Sequence, residues 1–464
     1  MYVLSFAFWC VIVVLAVAHR FAGPRLQRVL LIDASILLYA SLDRVLLIHL
    51  AWVVCITWVG ARSRHYTDDL SMLRFVRVAA SVLAFVPLLV HRLGEDVTSV
   101  AASLGERASL DTADWAISLV LPIGVAFYTL QAVDTIIPGQ RRADDPPGFI
   151  DHALQICFFP LFIVGPVQRH DHLERQLRSH RVIGVADVRA AALLVLFGLI
   201  HKVVIADNLL PIADRTFATP ATASGPDVVV AVAAFGMGIV ADLLGLTLLA
   251  IGAARLFGVR LENQVDRPWM ATSVLDFWSR FLSPVTDWFL RHVFLPAGGI
   301  GRGRFRTAGA VVVTFLAGSV WFGATATLVV WALLHAVAVL VQLWILQRRG
   351  PTRHPLTSRL VAFVWIMYAW LWFRADSLST ALDLHRALLR PELTSFARGS
   401  IAVTAMFGIA LVAVDALGRR VMAPTADAGF LERAPLRGLV LAASFTALLV
   451  FSTGDLHTSV LGLR

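Results

Sequence analysis

Long apolar stretches recur along the whole chain and constrain its fold more than any other feature of the sequence. A helix needs about 20 mostly apolar residues to cross the hydrocarbon core of a bilayer, and hydropathy marks roughly a dozen such stretches. Hydrophobic residues make up 58% of the 464 residues and charged ones 15%, which is more apolar surface than one soluble core could bury. The sequence therefore predicts an all-α polytopic membrane protein with roughly 11–13 membrane helices.

The predicted spans each combine a continuous apolar run with polar ends. Several are short or contain Pro and Gly, which predicts broken, re-entrant or tilted helices. The first begins directly after Met1 without a basic region, so we expect a retained helix and not a signal peptide. The spans are 2–18, 45–59, 75–90, 117–137, 150–167, 190–206, 228–253, 308–321, 328–346, 360–373, 401–417 and 439–451.

The net charge of +9 could suggest nucleic acid as a partner. The arginines instead stand in short loops between apolar runs, where charges that set membrane topology are found. The positive-inside rule then predicts that these loops are cytoplasmic, that the N-terminus lies outside, and that the bilayer, not nucleic acid, surrounds the chain. The clearest clusters are Arg20/Arg25/Arg28, Arg302/Arg304/Arg306, Arg348/Arg349/Arg353 and Arg419/Arg420.

The longest polar connections, 169–186, 374–400 and 418–437, are too short to fold alone. They carry apolar residues at helical spacing, which predicts amphipathic helices at the membrane surface or loops packed on the bundle. No repeat of 20 to 50 residues is visible in the sequence, so one continuous membrane domain over residues 1–464 is predicted.

Short blocks with Pro, Gly, Trp or charged residues interrupt the apolar runs. They read LPIGVAFYTLQA at 121–132, FFPLFIVGPVQR at 158–169, GLIHKVVIADNL at 198–209, IGAARLFGVRLEN at 251–263, DFWSRFL at 276–282, WFGA at 321–324, WALLH at 331–335 and WFRADSL at 372–378. In order and spacing this set resembles the alginate O-acetyltransferase type of the membrane-bound O-acyltransferase family. The resemblance places a family core at about 121–390, with N-terminal helices within 1–92 and C-terminal helices within 400–453.

The resemblance implies a helical bundle with broken helices around a central tunnel, in the cytoplasmic membrane of a bacterium. In that family an acyl group from acetyl-CoA or another donor passes to a hydroxyl of an exported polysaccharide, with a buried histidine as general base. The expected partners are the acyl donor, the polysaccharide and a periplasmic or extracellular acetyltransferase. No bound cofactor and no metal are expected.

Two positions depart from the pattern of the family. The block that usually reads Phe-Trp-Arg-Arg-Trp-His ends here in Leu282, and the block that usually reads Trp-His-Gly has Phe322 in place of its near-invariant histidine. Neither side chain can accept a proton. Since a positioned acid or base contributes about 10² to 10⁴-fold in rate, these positions are predicted to be degenerate catalytic positions.

Other histidines could replace the missing base. His335 stands in an apolar run, where a histidine suggests either a relocated catalytic base or a hydrogen bond across helices. His201 and His292 are next to basic residues near predicted helix ends, which favours an interfacial, solvated role.

Arg374 and Asp376 are two residues apart and are not expected to form an ion pair. Arg255, Asp276, Arg280, Trp278 and Trp321 are predicted to line the tunnel or to be structural.

Three hypotheses about function follow. The first is a family member that has lost catalysis and acts as a binding or scaffold protein in polysaccharide acylation. The second is an active O-acetyltransferase with His335 as its base. The third is a transporter or channel without acyl chemistry. The ordered blocks argue against the third hypothesis, and Leu282 and Phe322 argue against the second.

Overall fold

The computed structural model of the chain describes residues 6–42, 44–92, 124–136, 148–163, 165–179, 183–350, 355–422 and 446. Within these ranges the secondary structure is helical, and extended pairing is limited to an isolated antiparallel bridge between Val265 and Phe281. Seven of the described helices are long and apolar enough to cross a membrane. The predicted all-α, multi-pass membrane class is therefore confirmed.

The chain divides into two compact units. The N-terminal unit comprises Ser5–Val188 with Ala253–Glu262, and the C-terminal unit comprises Arg189–Gly252 with Asn263–Gly462. The predicted single domain over 1–464 and its subdivision stay predictions. The predicted span 439–451 apart from residue 446, the first part of the span 117–137 and most of the predicted connection 418–437 lie outside the described residues.

Among its described residues the N-terminal unit contains seven helices of nine residues or more, which we number in chain order, besides a short helix at Ser63–Tyr66 and a 3-10 helix at Phe159–Ile163. In this unit α3 and α4 pack closely, since a Cβ added at Gly60 would lie 2.8 Å from the Cβ of Ala80. Helix α2 was not predicted as a span, because Arg25, Arg28 and Asp33 interrupt its apolar run. The helices are α1 (Phe6–Phe21), α2 (Pro24–Leu42), α3 (Arg44–Ala61), α4 (Leu70–Arg92), α5 (Val125–Asp134), α6 (Phe149–Cys157) and α7 (His170–Arg178).

The C-terminal unit contains most of the long helices. After α8 (Val185–Leu199), which begins in the N-terminal unit, a π-helical segment at Ile200–Ala206 leads directly into α9. The predicted span 190–206 is thus part of one continuous helical run, Val185–Ala218. The remaining principal helices are α9 (Asp207–Ala218), α10 (Gly225–Arg255), α11 (Val274–Arg280), α12 (Ser283–Phe289), α13 (Arg304–Phe322), α14 (Ala326–Arg349), α15 (Pro355–Arg374), α16 (Leu378–Ala387) and α17 (Ser395–Met422).

Helix α10 forms the centre of the C-terminal unit. In the most apolar 18-residue stretch of α10, 83% of the residues are buried inside the protein. The buried share of the corresponding stretch is 28% in α13, α15 and α17. A helix that is apolar on all sides is expected to be buried by its neighbours. Helices α8 and α10 approach each other at two glycines: a Cβ at Gly198 would lie 2.9 Å from the carbonyl oxygen of Gly245. Such a close approach of backbones is common between membrane helices.

Two of the polar connections contain a short helix that buries one face. Helix α7 buries His170, Leu173 and Glu174, and α16 buries Ala381, Leu384 and Ala387. The position of these helices at the membrane surface stays a prediction.

Candidate functional site

His335 lies in the middle of α14 and is 1% exposed. Its imidazole contacts the rings of Trp278, Phe315 and Trp331, with centroid distances of 5.4, 5.7 and 5.0 Å. The indole Nε1–H of Trp278 donates a hydrogen bond to Nδ1 of His335 at 3.3 Å. Because Nδ1 accepts this bond, the neutral imidazole carries its proton on Nε2.

Trp331, one helical turn before His335, connects the two positions that the sequence singled out. It is 2% exposed, and its ring also contacts Phe322 and Phe373, each at a centroid distance of 5.4 Å. Phe322 is the last residue of α13 and also contacts Trp321 at 4.7 Å and Phe373 at 5.1 Å. His335 and Phe322 therefore belong to one aromatic cluster in which Trp331 is their shared neighbour.

Leu282 precedes the first residue of α12 and is 2% exposed. Its backbone has φ 52° and ψ 41°, in the left-handed region. Few residues with a Cβ adopt this conformation, and Asn, Asp and His do so several times more often than branched apolar residues. The carbonyl oxygen of Leu282 accepts the N–H of Thr286 at 2.9 Å, which begins the helix.

Asp276 and Arg280 pair with each other along α11, since Nε of Arg280 lies 2.7 Å from Oδ1 of Asp276. The other carboxylate oxygen accepts the N–H and the hydroxyl of Thr272 at 2.8 and 3.1 Å. Burial raises the pKa of the Asp276 carboxyl, but the bonds from Thr272 and Arg280 outweigh it and hold this pKa below its usual range. Of the two roles that the sequence leaves open, lining a tunnel or being structural, this geometry favours the structural one, because Asp276 bonds to Thr272 before α11 and to Arg280 at its end.

Trp321 and Arg255 complete the predicted set of tunnel-lining or structural residues. Trp321 is 4% exposed and packs against Phe289 in addition to Phe322. Arg255 ends α10 in the N-terminal unit, where its Nε lies 3.4 Å from Oδ1 of Asp187. Trp278 is thus hydrogen-bonded to His335, and the ring of Trp321 contacts that of Phe322. Arg255 instead forms an ion pair with Asp187 in the N-terminal unit.

Two sequence interpretations are wrong. His201 is 1% exposed and its Nδ1 lies 2.7 Å from the carbonyl oxygen of Phe197. It is therefore not solvated, and it does not stand near a helix end, because the helical run continues to Ala218. Arg374 and Asp376 do form an ion pair, at 3.1 Å. Arg374 ends α15, so helical spacing does not apply to the residue two positions later.

A buried charge cluster escaped the sequence interpretation. Lys202, in the π-helical segment, is 1% exposed and its Nζ lies 2.6 Å from Oδ1 of Asp207 and 2.8 Å from Oδ1 of Asp242. Asp242 stands alone in the apolar run of α10, and a single acid among apolar residues was the signal that could have indicated a partner. Irregular π-helical turns often occur at functional positions.

Among the described rings that contact Trp331, those of Trp278 and His335 carry nitrogen atoms, and Nε1 of Trp278 donates a hydrogen bond to Nδ1 of His335. Among the described residues, no group of three or more His, Cys, Asp or Glu side chains is placed to hold a metal ion.

Comparison with known proteins adds to this geometry. The family model described as MBOAT, membrane-bound O-acyltransferase family, matches residues 38–378. The match covers most of the described elements and includes His335, Phe322 and Leu282.

Individual relatives have names that refer to polysaccharides of the cell surface. The chain is 30% identical over 273 residues to the probable alginate O-acetylase AlgI of Azotobacter vinelandii, with 58% of this chain and 54% of that protein covered. It is 26% identical over 415 residues to the protein of the same name from Pseudomonas aeruginosa, with 84% and 78% covered. It is 26% identical over 301 residues to the peptidoglycan O-acetyltransferase of Helicobacter pylori, with 58% and 57% covered. The chain thus spans about half the length of the first of these relatives.

Proposed function

Because the chain belongs to the membrane-bound O-acyltransferase family, we propose that it acts in the O-acetylation of an exported cell-surface polysaccharide, in the cytoplasmic membrane of a bacterium. We further propose that it does so as a binding or scaffold protein whose histidine chemistry has been lost. The polysaccharide setting is supported by the names of its relatives, which include alginate O-acetylases and a peptidoglycan O-acetyltransferase.

The aromatic packing of Phe322 carries this proposal. Its ring contacts Trp321, Trp331 and Phe373, so apolar rings fill the place where the family resemblance puts a general base. Phenylalanine has no lone pair to take a proton from an attacking hydroxyl. Leu282, at the second such position, is equally unable to take a proton.

An active enzyme with His335 as its base is the second candidate, favoured by the burial of this imidazole in the same cluster as Phe322. The hydrogen bond from Trp278 weighs against it. Nδ1 of His335 already accepts a hydrogen bond from the indole N–H of Trp278, and Nε2 carries the proton of the neutral ring. A general base needs a free lone pair aimed at the hydroxyl, so His335 would have to give up its bond to Trp278 first.

The deciding experiment measures single-turnover transfer of radiolabelled acetyl from acetyl-CoA to added glycan in proteoliposomes. It compares the unaltered chain, His335→Ala, and the double variant Leu282→His/Phe322→His. His385→Ala is the matched control, because this imidazole is also hydrogen-bonded, to the carbonyl oxygen of Ala381, and also contacts aromatic rings, at Tyr368 and Trp372. An active family member in the same vesicles verifies the assay.

The proposal predicts no transfer by the unaltered chain and a measurable gain in the double variant. Transfer by the unaltered chain that is lost in His335→Ala but kept in His385→Ala would overturn the scaffold role and make His335 the base. The expected binding partners, an acyl donor on the cytoplasmic side and an acetyltransferase on the far side, can be tested by co-purification from the same membranes.

A further inference from the structure

An apolar groove of about 100 Å³ lies between three helices of the C-terminal unit, α10, α15 and α17. Its fourth wall is formed by residues 268–277, which lead from the segment after α10 into α11. All three helices are long and apolar enough to cross a membrane. The described side chains that line the groove are apolar or aromatic and carry no charge, so the groove suits a hydrocarbon and not an ionic group.

The groove is exposed along its rim. Its floor contains the rings of Phe277 and Trp370, which are 4% and 3% exposed. At the rim, Phe363 of α15 and Val412 of α17 are each 45% exposed. Because the flanking helices span the membrane, the surroundings of this rim are acyl chains of the bilayer and not water.

Two glycines and two methionines make the shape of the groove adaptable. A Cβ added at Gly236 would lie 2.7 Å from Cε of Met367, and one added at Gly408 would lie 2.6 Å from Sδ of Met237. The thioethers thus occupy the space that the missing side chains leave. Methionine side chains are flexible and fill irregular gaps, so they can repack around a flexible hydrocarbon chain.

Charged residues stand beyond the groove, in the last turns of α17. Nη1 of Arg419 lies 2.9 Å from Oδ1 of Asp266, just before the fourth wall, and its Nε lies 2.9 Å from Oδ2 of Asp415. Arg420 is exposed and has no ion-pair partner among the described residues. It stands eight residues after Val412, which is about 12 Å further along the helix.

The charges at this end leave a positive excess. Three of its four arginines are balanced by three aspartates, and Arg420 is the fourth. One uncompensated guanidinium at a helix end complements the single negative charge of a phosphodiester. The balanced pairs are Arg267–Asp266, Arg280–Asp276 and Arg419–Asp415.

We propose that this groove binds a membrane phospholipid, with one acyl chain in the groove and the phosphate at Arg420. The separation between Arg420 and Val412 fits the glycerol and the first carbons of the chain. The positive-inside rule puts Arg419 and Arg420 on the cytoplasmic side, so the lipid comes from the cytoplasmic leaflet. The site does not depend on the proposed role in acylation, since neither Phe322 nor His335 lines the groove.

Val412→Trp and Ile409→Trp form the first matched pair of variants. Both residues are exposed on α17, at 45% and 71%, but only Val412 lines the groove. An indole at position 412 therefore takes the place of the acyl chain, whereas one at position 409 leaves the groove empty. Native mass spectrometry of the purified full chain in detergent measures the affinity for phosphatidylglycerol and for diacylglycerol with the same acyl chains. The midpoint of thermal unfolding verifies that each variant is folded.

Arg420→Ala and Arg398→Ala form the second pair, because both arginines are exposed on α17 and stand near its opposite ends. We expect the unaltered chain, Ile409→Trp and Arg398→Ala to bind phosphatidylglycerol equally. Val412→Trp should bind it about tenfold more weakly, through the loss of buried methylenes. Arg420→Ala should bind it about fivefold more weakly, through the loss of one charge near the head group.

Diacylglycerol separates the two parts of the site. We expect its affinity to fall in Val412→Trp and to stay unchanged in Arg420→Ala, because it has the acyl chains but no phosphate. Equal affinity of Val412→Trp and Ile409→Trp for phosphatidylglycerol would overturn the groove as the site of the acyl chain. Equal weakening by Arg420→Ala and Arg398→Ala would overturn the phosphate contact and leave only general attraction between surface charges.

Discussion

Leu282 adopts a backbone conformation that suits few side chains. At φ 52° the conformational free energy of the backbone is raised only modestly for Asn, Asp or His. It is raised more for a β-branched residue, whose Cβ substituents clash with the backbone. We therefore expect Leu282→Ile, which conserves side-chain volume, to destabilise the protein by about 1–3 kcal/mol more than an ordinary Leu→Ile substitution. The midpoint of thermal unfolding in detergent measures the difference.

The matched control is Leu209→Ile. Leu209 is also fully buried but lies within α9, where the backbone is helical. Equal losses at the two positions would show that position 282 carries no strain. The same argument indicates that histidine fits the backbone at position 282, which makes Leu282→His a suitable restoration variant.

Asp276 makes the stability of α11 dependent on pH. Its folded-state pKa is lowered, so the stabilisation is present above the ordinary aspartate pKa of about 4 and is lost as the pH falls through the lowered value. Thermal unfolding scans between about pH 5 and pH 3 should show a steeper loss for the unaltered chain than for Asp276→Asn. Asp383→Asn, which removes a carboxylate from an exposed ion pair with Arg386, should keep the slope of the unaltered chain.

At the scale of residues, contacts between neighbours in the sequence could be predicted more readily than contacts between distant ones. The pairing of Asp276 with Arg280 follows from their i, i+4 spacing. The bond from Trp278 to His335 joins residues 57 positions apart and depends on how α11 packs on α14. No local pattern in the sequence determines that packing.

The pair of Lys202 and Asp242 joins α10 to the π-helical segment between α8 and α9. Lys202→Met leaves the carboxylate of Asp242, which is 1% exposed, buried without its cation. Breaking a buried ion pair from one side costs about 3–5 kcal/mol, whereas replacing both partners by apolar residues is often neutral. We expect Lys202→Met to lower the unfolding midpoint strongly and Lys202→Met/Asp242→Leu to recover most of the loss.

Additive losses in the double variant would show that the two residues act independently. Asp207, the second partner of Lys202, has a side chain 21% exposed and so can be hydrated in both variants. At this scale hydropathy predicted the seven described helices that are long and apolar enough to cross a membrane, because an apolar run of sufficient length determines a span; it did not predict α2. It could not predict the Lys202–Asp242 pair, since the register of α8 against α10 depends on the close approach of Gly198 and Gly245.

For the whole molecule, the orientation of α13 determines which face of the membrane Phe322 approaches. The helix has 19 residues and is about 28 Å long, close to the thickness of the hydrocarbon core. We therefore expect Arg304 and Phe322 at opposite membrane faces, with α14 returning the chain to the face of Arg304 and ending at Arg348 and Arg349. The positive-inside rule predicts that the arginine end is cytoplasmic and that the end with Phe322 faces the side where, under the proposed function, an exported polysaccharide would arrive.

Labelling with a membrane-impermeant maleimide tests this orientation in a background in which Cys10, Cys55 and Cys157 are replaced by Ser. We expect Arg304→Cys to react only in inverted vesicles and Ala326→Cys, at the exposed start of α14, to react only in intact cells. Both positions are at helix ends, so their accessibility to water is comparable. The reverse pattern would place Phe322 near the cytoplasmic face, and the aromatic cluster would then block the entry of the acyl donor instead of the approach of the acceptor.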